Sequence, residues 1–308
     1  MYKDKFIKPP IKWVGGKTQI IDDIISKFPS KFNNYHEIFL GGGSVLLALL
    51  KMIENKQIKV TGKIYAYDIN ETLINLYTNI QSNPQNILDE IKIFIDDYNN
   101  CIYDKESTIR NPQCIEEGLI SKESYYYWCR KQYNELSQED KNKPIGSALL
   151  IFLNKTCFRG LYRVSSNGFN VPYGNYQTPE IINSDHIFQI HNLIKIKNVV
   201  FKCCNFDESF KNVKKGDFVY LDPPYVPEKK ESFVDYNIDG FTVEKHNELF
   251  KLCNDMKLNN IKFLMSNSDV ELVRNSFPKE KFNIIVLSCK RAINSKKPES
   301  KTNELLIL

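Results

Sequence analysis

The stretch that decides the fold is "YHEIFLGGGSVLLALLKMIE", Tyr35 to Glu54. Its first residues predict a short strand, three glycines follow, and the apolar run after them predicts a helix. Glycine admits positive φ and close approach of a ligand to the backbone, and a helix N-terminus offers free N–H groups. A triple glycine is also common in tight turns that bind nothing, and the spacing is not the GxGxxG of dinucleotide sites. The stretch therefore predicts a strand–turn–helix unit and leaves its ligand open.

A second strand and an acid follow this unit. "KIYAYD" predicts a strand that ends at Asp68, and a helix is predicted from about Asn70. Strand, glycine turn, helix, strand and acid is how a doubly wound parallel sheet begins. A carboxylate at this strand end bonds ribose hydroxyls in such folds, although Asp68 could instead cap the helix that follows. We therefore predict the α/β class, with a Rossmann-like doubly wound sheet.

The rest of the chain predicts one domain with an insert. Strand signals resume late, at "NVVFKCCNF", "DFVYLD", "IKFLMSN", "FNIIVLSC" and "NELLIL", with the helical "TVEKHNELFKLCNDMKLN" between them. From about residue 99 to 143 the chain is polar and aromatic, and its periodicity is weak. "SALLIFLNKTCF" predicts a helix, and "GLYRVSSNGFNVPYG" predicts a hairpin that turns at Ser166-Asn167-Gly168. We predict a sheet domain of residues 1–80 and 195–308, interrupted by a mostly helical insert at 81–194 that carries the hairpin.

Composition excludes several classes of protein. No apolar run approaches the roughly 18 residues of a membrane helix, and Met1-Tyr2-Lys3-Asp4 opens no signal peptide. The eight cysteines are scattered without a CxxC pair, which argues against a zinc site or a disulfide framework. The net charge of +5 permits a polyanionic partner without requiring one. We expect an intracellular protein with reduced thiols, no metal and no membrane segment.

The stretch "FVYLDPPYVP", Phe218 to Pro227, ends an apolar strand with an acid, two prolines and a tyrosine. Proline fixes φ and donates no N–H, so two in succession make a rigid turn with outward carbonyls. Asp222 adds a side-chain acceptor and Tyr225 adds a flat ring. Such a group suits a planar heterocycle that bears an amino group. A bare Asp-Pro-Pro also marks many plain loop exits; the tyrosine, the strand and the upstream glycine loop favour the functional interpretation.

These residues resemble a known family, the DNA adenine methylase (Dam) branch of the amino-DNA methyltransferases of the alpha arrangement. The resemblance rests on "FLGGGS", Asp68 and "DPPY" in that order, and on motifs that extend it over nearly the whole chain: "KWVGGK", "FLNKTCFRGLYRVSSNGFNVPYGNYQTP", "DGFTVEKHNEL", "SNSD" and "KRAINSKKPESKTNELL". It implies an S-adenosyl-L-methionine-dependent enzyme that methylates N6 of adenine in double-stranded DNA. The predicted fold is accordingly a methyltransferase fold whose insert recognises the target.

The resemblance also implies site residues. The cofactor contacts would be Trp13, Lys17, Phe39, Gly41, Gly43, Ser44, Asp68 and Asp222. Without the family pattern, Trp13 could equally fill the core and Lys17 could be a surface charge. The catalytic residues would be Asp222, Pro223 and Tyr225. The Asp222 carboxylate and the Pro223 carbonyl accept the two amine hydrogens, which localises the nitrogen lone pair, while Tyr225 stacks on an adenine flipped out of the duplex.

The DNA-contacting residues implied are Lys12, Phe158, Leu161, Arg163, Pro172 and Arg291, with Lys296, Lys297 and Lys301 along phosphates. Arg163 suits guanine O6 and N7, Leu161 and Pro172 could meet a thymine methyl, and Phe158 could fill the gap left by flipping. Lys12 could read a base or only contact a phosphate, and the basic C-terminal loop could simply be solvated. These residue types favour GATC as the recognition sequence, although Arg159 replaces the Asn expected beside the intercalating aromatic.

Two other functions stay open at this point. One is a methyltransferase acting on RNA adenine or on a glutamine side chain, although an RNA major groove is too narrow for the hairpin's side chains. The other is an inactive DNA-binding relative, against which the intact "DPPY" and glycine loop argue. The sequence does not reveal the oligomeric state or whether a cognate restriction endonuclease exists.

Overall fold

The structure is a computed structural model that describes residues 6–102, 107–227, 241–290 and 301–308. The chain divides into two compact units, of which the first comprises Met1–Gly16, Gly41–Leu47 and Asn70–Ile196 and the second Lys17–Leu40, Ala48–Ile69 and Lys197–Leu308. The first unit is mostly helical and carries a small hairpin, and the second holds the central sheet. Which unit serves target recognition and which serves catalysis stays a prediction.

The elements of the described residues are numbered in chain order. The strands are β1 (Lys31–Phe32), β2 (Tyr35–Glu37), β3 (Lys59–Val60), β4 (Ile64–Asp68), β5 (Val164–Ser165), β6 (Gly168–Phe169), β7 (Val200–Cys203), β8 (Phe218–Leu221), β9 (Lys262–Ser268), β10 (Ile284–Lys290) and β11 (Lys301–Ile307). The α-helices are α1 (Ile21–Ile25), α2 (Ser44–Glu54), α3 (Glu71–Ser82), α4 (Pro84–Asn99), α5 (Ile115–Gly118), α6 (Lys122–Glu135), α7 (Gln138–Lys141), α8 (Pro144–Thr156), α9 (Ser184–Ile196), α10 (Phe206–Ser209), α11 (Val243–Leu258) and α12 (Glu271–Ser276). Short 3₁₀ helices cover Lys17–Gln19, Phe158–Gly160 and Phe210–Asn212.

The central sheet of the second unit has, among the described strands, the order β10–β11–β9–β8–β2–β4–β7. Strands β9, β8, β2, β4 and β7 run parallel, and β11 runs antiparallel to its neighbours β9 and β10. The chain moves outward from β2 through β4 to β7 and then returns to β8 on the other side of β2. The order therefore reverses between β2 and β8, which is where open α/β sheets bind their ligands. The predicted Rossmann-like α/β fold is confirmed.

Strand β8 shows why this sequence forms the middle of a parallel sheet. All four of its residues, Phe218 to Leu221, are buried. A strand covered on both faces needs such a continuous apolar run rather than an alternating one. Residues of α11, among them Leu249 and Phe250, belong to the same hydrophobic core as Val219 and Leu221. The strand therefore holds its carboxyl end, and the acid that follows, in a fixed place.

The first unit is built around α8, "PIGSALLIFLNKT", most of whose residues are buried. A helix that is apolar on all sides needs cover on all sides, which α4 and α6 help to provide. The predicted hairpin is present as β5 paired antiparallel with β6. Its turn is shorter than predicted, because Gly168 (φ +89°) already pairs with Ser165 and only Ser166 and Asn167 lie between the strands.

In the described residues between 99 and 143 the structure contains three helices, α5, α6 and α7, where the sequence showed only weak periodicity. Tyrosines take the buried positions of α6 in place of aliphatic residues. Tyr125 donates to Asp97 Oδ2 at 2.9 Å, and Tyr126 donates to the Val171 carbonyl at 2.7 Å. A polar composition therefore conceals a buried helix face, because the hydroxyls of Tyr125 and Tyr126 are paired inside the unit.

Candidate active site

The carboxyl end of β8 carries Asp222 into a cluster with a lysine and an aromatic ring. Lys17 Nζ lies 2.9 Å from Asp222 Oδ1 and 4.8 Å from the centroid of the Tyr225 ring. Lys17 comes from the 3₁₀ helix Lys17–Gln19 and is only 5% exposed, so it is not a surface charge. The structure thus brings three of the predicted site residues together at the point where the strand order reverses.

A carboxylate that the sequence analysis did not assign completes this cluster. Tyr225 donates its hydroxyl hydrogen to Glu304 Oε2 at 2.8 Å. Glu304 lies on β11, where it pairs with Ser268 of β9. Strand β9 lies between β11 and β8, so the Glu304 side chain contacts Tyr225 from the second strand beyond β8. The ring of Tyr225 is consequently fixed at its hydroxyl by Glu304 and on its face by Lys17.

The end of β9 holds the loop that contains the two prolines. Asn267 Oδ1 accepts a hydrogen bond from the Val226 N–H at 3.2 Å, and Ser268 Oγ donates to the Val226 carbonyl at 2.6 Å. One strand residue earlier, Ser266 Oγ lies 3.0 Å from the Tyr220 hydroxyl. These buried polar side chains explain why the "SNSD" motif interrupts an apolar strand: they fix the path of the chain just beyond Tyr225.

Burial dominates the protonation behaviour of the cluster. It raises the pKa of Asp222 above the usual value for an aspartate; Lys17 opposes the rise and the negative charge of Glu304 adds to it. Burial also raises the pKa of the Tyr225 hydroxyl, and the carboxylates of Asp222 and Glu304 raise it further. Tyr225 is therefore a neutral phenol that donates to Glu304, and Lys17 is the partner that opposes the rise in the pKa of the partly buried Asp222.

The glycine loop of the first unit is determined by packing as well as by backbone freedom. Tyr77 donates its hydroxyl hydrogen to the Gly42 carbonyl at 2.7 Å. A Cβ on Gly43 would lie 2.3 Å from the Tyr77 hydroxyl oxygen, and φ is +78° there. A Cβ on Gly42 would lie 2.9 Å from the Cβ of Trp13. The triple glycine is thus both a tight turn and a surface without side chains, and Trp13 packs against it.

Two more predicted cofactor contacts lie in the second unit. Asp68 is the last residue of β4, opposite Cys203 of β7. The helix that follows has Asn70 as its N-cap, and the Asn70 side chain accepts from the Leu73 N–H. The Phe39 ring packs against Phe206, with ring centroids 6.0 Å apart. The predicted contact Ser44 is the first residue of α2.

A buried asparagine joins Lys12 to the turn that carries Phe158. Asn154, 1% exposed, accepts from the Lys12 N–H at 2.8 Å and donates to the Lys12 carbonyl at 2.9 Å and to the Gly160 carbonyl at 3.0 Å. The Lys12 side chain runs so close to Gly160 that a Cβ there would lie 2.4 Å from Lys12 Cδ. Lys12 therefore belongs to the same rigid assembly as the predicted DNA-contacting turn.

The turn itself presents an aromatic ring to the surface. Phe158 is 45% exposed, although its N–H is fixed to the Pro172 carbonyl at 2.8 Å. The neighbouring Arg159 has φ +57°, a left-handed conformation that is uncommon outside glycine, and its guanidinium lies 5.2 Å from the centre of the Phe158 ring. Leu161 closes the turn by donating its N–H to the Phe158 carbonyl.

Arg163 extends from the hairpin and is held along one edge. Its Nε donates to Asn170 Oδ1 at 2.6 Å, and its Nη2 donates to the Asn170 carbonyl at 3.1 Å. Asn170 in turn donates its N–H to the Arg163 carbonyl at 3.0 Å. The Nε–Nη2 edge of the guanidinium is thus engaged within the hairpin. These two bonds do not use the other edge, which is formed by Nη1 and the second hydrogen of Nη2.

Several predicted features receive no structural account. Arg291, Lys296 and Lys297 lie outside the described residues, as does the side chain of Lys301. Within the described ranges, no helix is long and apolar enough to cross a membrane. In the same ranges no three His, Cys, Asp or Glu side chains converge as a metal site would require.

Sequence reasoning missed three residues that organise the site: Asn154, Asn170 and Glu304. Two of them carried a visible signal, since Asn154 is an amide inside an apolar helix and Glu304 is an acid directly before the apolar run Leu305 to Ile307. Buried polar groups of this kind are usually paired, so each predicts a partner without naming it. Asn170 carried no such signal, because an exposed hairpin tolerates an asparagine anywhere.

Comparison with known proteins supports the same conclusion as the motifs. The family model of D12 class N6 adenine-specific DNA methyltransferases matches residues 13–293. The chain is 33% identical to type II methyltransferase M.MjaIII of Methanocaldococcus jannaschii, covering 98% of this chain and 99% of that protein. It is 30% identical to the DNA adenine methylase of Haemophilus influenzae (98% and 93% covered) and 29% identical to that of Escherichia coli K12 (97% and 94%). As the resemblance predicted, the chain belongs to the family of D12 class N6 adenine-specific DNA methyltransferases.

Proposed function

We propose that this enzyme transfers a methyl group from S-adenosyl-L-methionine to N6 of an adenine flipped out of double-stranded DNA, and that its recognition sequence is GATC. The observation that carries the proposal is the cluster of Lys17, Asp222 and Tyr225 at the carboxyl end of β8, where the sheet order reverses. Family membership supplies the reaction class, and this cluster supplies the groups that the reaction needs. Its relatives come from bacteria and an archaeon, and we infer that it acts inside the cell on genomic or viral DNA.

The residues fit the cofactor in two respects. Gly42 and Gly43 expose backbone without side chains, because Trp13 and Tyr77 leave no room there for a Cβ. Asp68 is a carboxylate at the end of β4, where such folds bind ribose hydroxyls. When bound, S-adenosyl-L-methionine supplies the electrophilic methyl group of its sulfonium. The contacts that we propose for it are Trp13, Lys17, Phe39, Gly41, Gly43, Ser44, Asp68 and Asp222.

Asp222 and Pro223 prepare the nucleophile. The exocyclic amine of adenine is a weak nucleophile, because its lone pair is delocalised into the ring. The Asp222 carboxylate and the Pro223 carbonyl, a main-chain acceptor on a rigid turn, would accept the two amine hydrogens and draw the nitrogen toward tetrahedral geometry. The nitrogen lone pair would then attack the methyl carbon as the methyl–sulfur bond breaks, which leaves S-adenosylhomocysteine as the product, and N6 afterwards loses its surplus proton to water. Positioning and electrostatics account for this catalysis.

Tyr225 supplies the surface for the base. Its ring is held by the hydroxyl bond to Glu304 and by Lys17, so it is oriented before a base arrives. Stacking on an aromatic ring contributes about 1–3 kcal/mol per base. Flipping an adenine out of the duplex costs a few kcal/mol, which this stacking, with the two hydrogen bonds to the amine, offsets. The exposed Phe158 ring is suited to fill the gap in the duplex.

The hairpin and its supports account for sequence recognition. Because Asn170 occupies the Nε edge of Arg163, the edge of the two terminal nitrogens is the one presented to guanine O6 and N7. Lys12, fixed by Asn154 beside the same turn, is the second proposed base reader, and Leu161 and Pro172 would contact thymine methyls. Arg291 is proposed to contact DNA on the sequence resemblance alone.

Labelled methyl transfer tests the proposal. Wild-type protein is incubated with labelled cofactor and, in parallel, a GATC duplex, a duplex with one base of GATC changed, the single strands, and an RNA of equal sequence. We expect transfer to the GATC duplex, and a loss of at least about 100-fold in Asp222→Ala with an unchanged circular dichroism spectrum. Asp255→Ala, an exposed acid on α11, is the matched control and should keep full activity. Preferential transfer to RNA or to the single strands, equal transfer to the changed duplex, or undiminished turnover in Asp222→Ala would refute it.

A further inference from the structure

Glu304 is the charged residue of the active-site cluster for which neither the fold nor the proposed reaction yet gives a reason. It lies partly buried on β11, beside the apolar residues Leu305 and Leu306, and accepts the Tyr225 hydroxyl at 2.8 Å. A neutral amide oxygen could also accept that hydrogen bond, although more weakly than a carboxylate. A carboxylate in this place therefore points to a use of its charge as well as of its lone pairs.

The charges of the cluster indicate what that use is. Lys17 and Asp222 form an ion pair and cancel one another. Glu304 leaves the group of three with one net negative charge beside the ring on which the base is proposed to stack. A net negative charge favours a cationic reactant, which in the proposed reaction is the sulfonium of S-adenosyl-L-methionine. A fixed carboxylate provides this negative charge without reorganisation during the reaction. Without Glu304 the same cluster would be neutral.

Geometry gives Glu304 a second effect on the ring. The Tyr225 ring meets Lys17 on its face, but this contact alone leaves the ring able to tilt about Cβ. The hydroxyl bond to Glu304 removes that freedom, because β11 pairs with β9 along the sheet and cannot shift independently. Charge-assisted hydrogen bonds of this kind are among the stronger ones in proteins.

We propose that Glu304 is a positioning residue of the methyl-transfer site. It fixes the plane of the Tyr225 ring, and it gives the cluster a negative charge, because the charge of Asp222 is neutralised by Lys17. This inference rests on the proposed function. It predicts that Glu304 affects the rate of methyl transfer more than the binding of DNA, since a base that stacks out of plane reacts slowly even when it is bound.

Kinetics of Glu304→Ala, Glu304→Gln, Tyr225→Phe and the double variant Glu304→Ala/Tyr225→Phe test this role. Glu304→Ala should lower kcat about 10- to 100-fold with little change in KM for DNA. Tyr225→Phe should lower kcat as well, and the double variant should be no slower than the slower single variant, because both changes break one bond. Asn303→Ala, on the same strand, is the control and should keep wild-type kcat, because its exposed side chain donates to Asp269, at 3.4 Å.

Glu304→Gln separates charge from shape. Glutamine keeps an acceptor for Tyr225, but it lacks the charge that raises the pKa of Asp222, so the acid limb of the kcat/KM profile should move to lower pH. If Glu304 had only a structural role, its substitution would lower the melting temperature and leave kcat and the acid limb unchanged. Wild-type kcat in Glu304→Ala together with an unmoved limb in Glu304→Gln would overturn the proposal. An inactive wild type, or an active Asp222→Ala, would instead overturn the proposed function.

Discussion

Replacing Asn154 with leucine tests whether Lys12 and the Phe158 turn act as one rigid reader. Leucine has a similar volume and suits the apolar helix α8, so the change removes hydrogen bonds without opening a cavity. It deprives three main-chain groups of their partners: the Lys12 N–H, the Lys12 carbonyl and the Gly160 carbonyl. Two of these bonds are partly buried and the third is buried.

The expected magnitude follows from that burial. A partly exposed group regains water and costs about 0.5–1.5 kcal/mol, whereas the buried Gly160 carbonyl costs about 1–3 kcal/mol when unpaired. We therefore expect the free energy of unfolding to fall by about 3 kcal/mol in Asn154→Leu, measured by urea denaturation. The same variant should lose about 10-fold in discrimination between GATC and a single-base variant, since a mobile Lys12 no longer meets one base edge.

Ser147→Ala is the matched control. Ser147 is also a buried polar residue of α8, and its Oγ accepts from Asn79 Nδ2 at 2.9 Å, away from the turn. It should cost about 1 kcal/mol of stability and leave discrimination unchanged. If Asn154→Leu discriminates between the two duplexes as well as Ser147→Ala does, the reasoning about a rigid reader is wrong.

Three further predictions concern other parts of the molecule. Asn170→Ala should free the Arg163 guanidinium and lower the preference for guanine over 7-deazaguanine at the contacted position about 10-fold; an unchanged preference in the methylation assay would show that Arg163 does not depend on Asn170. Gly43→Ala should cost about 2–4 kcal/mol in urea denaturation, because it forces a left-handed alanine against the Tyr77 hydroxyl, and adding Tyr77→Phe should recover part of the loss; additive losses would contradict the clash. Burial lowers the pKa of His246 to about 4, against about 6.5 in the unfolded chain, so the folded protein binds this proton less tightly and stability should fall as the pH drops below 6.5. From pH 7.5 to 5 this loss is about 2 kcal/mol, and His246→Gln should remove it; an identical pH dependence in the variant would contradict the assignment.

The fold was predictable because its signals are local. The apolar run Phe218 to Leu221 can only be a strand covered on both faces, and the glycine turn between β2 and α2 fixes the order of the first elements. Helix α6 could not be predicted with the same rules, since its buried face consists of tyrosines whose hydroxyl partners, such as Asp97 and the Val171 carbonyl, lie far away in sequence.

The residue types of the candidate site were predictable, and the contacts that support them were not. "DPPY" singles out Asp222 and Tyr225 as candidates by residue type, and the structure places both beside Lys17. The pairing of Glu304 with Tyr225 depends instead on β11 lying beside β9, and the pairing of Asn154 with Lys12 joins residues 142 positions apart. Such contacts follow from strand order and helix packing, which no local pattern contains.

The proposed mechanism depends most on the Asp222 carboxylate and the Pro223 carbonyl accepting hydrogen bonds from the amine of a flipped-out adenine. An experimental structure of the enzyme with a GATC duplex and S-adenosylhomocysteine measures this directly. We expect the adenine to lie outside the helix on the Tyr225 ring, with N6 about 3 Å from both an Asp222 carboxylate oxygen and the Pro223 carbonyl oxygen. An adenine still paired in the duplex, or one bound with N6 beyond hydrogen-bond reach of Asp222, would contradict it.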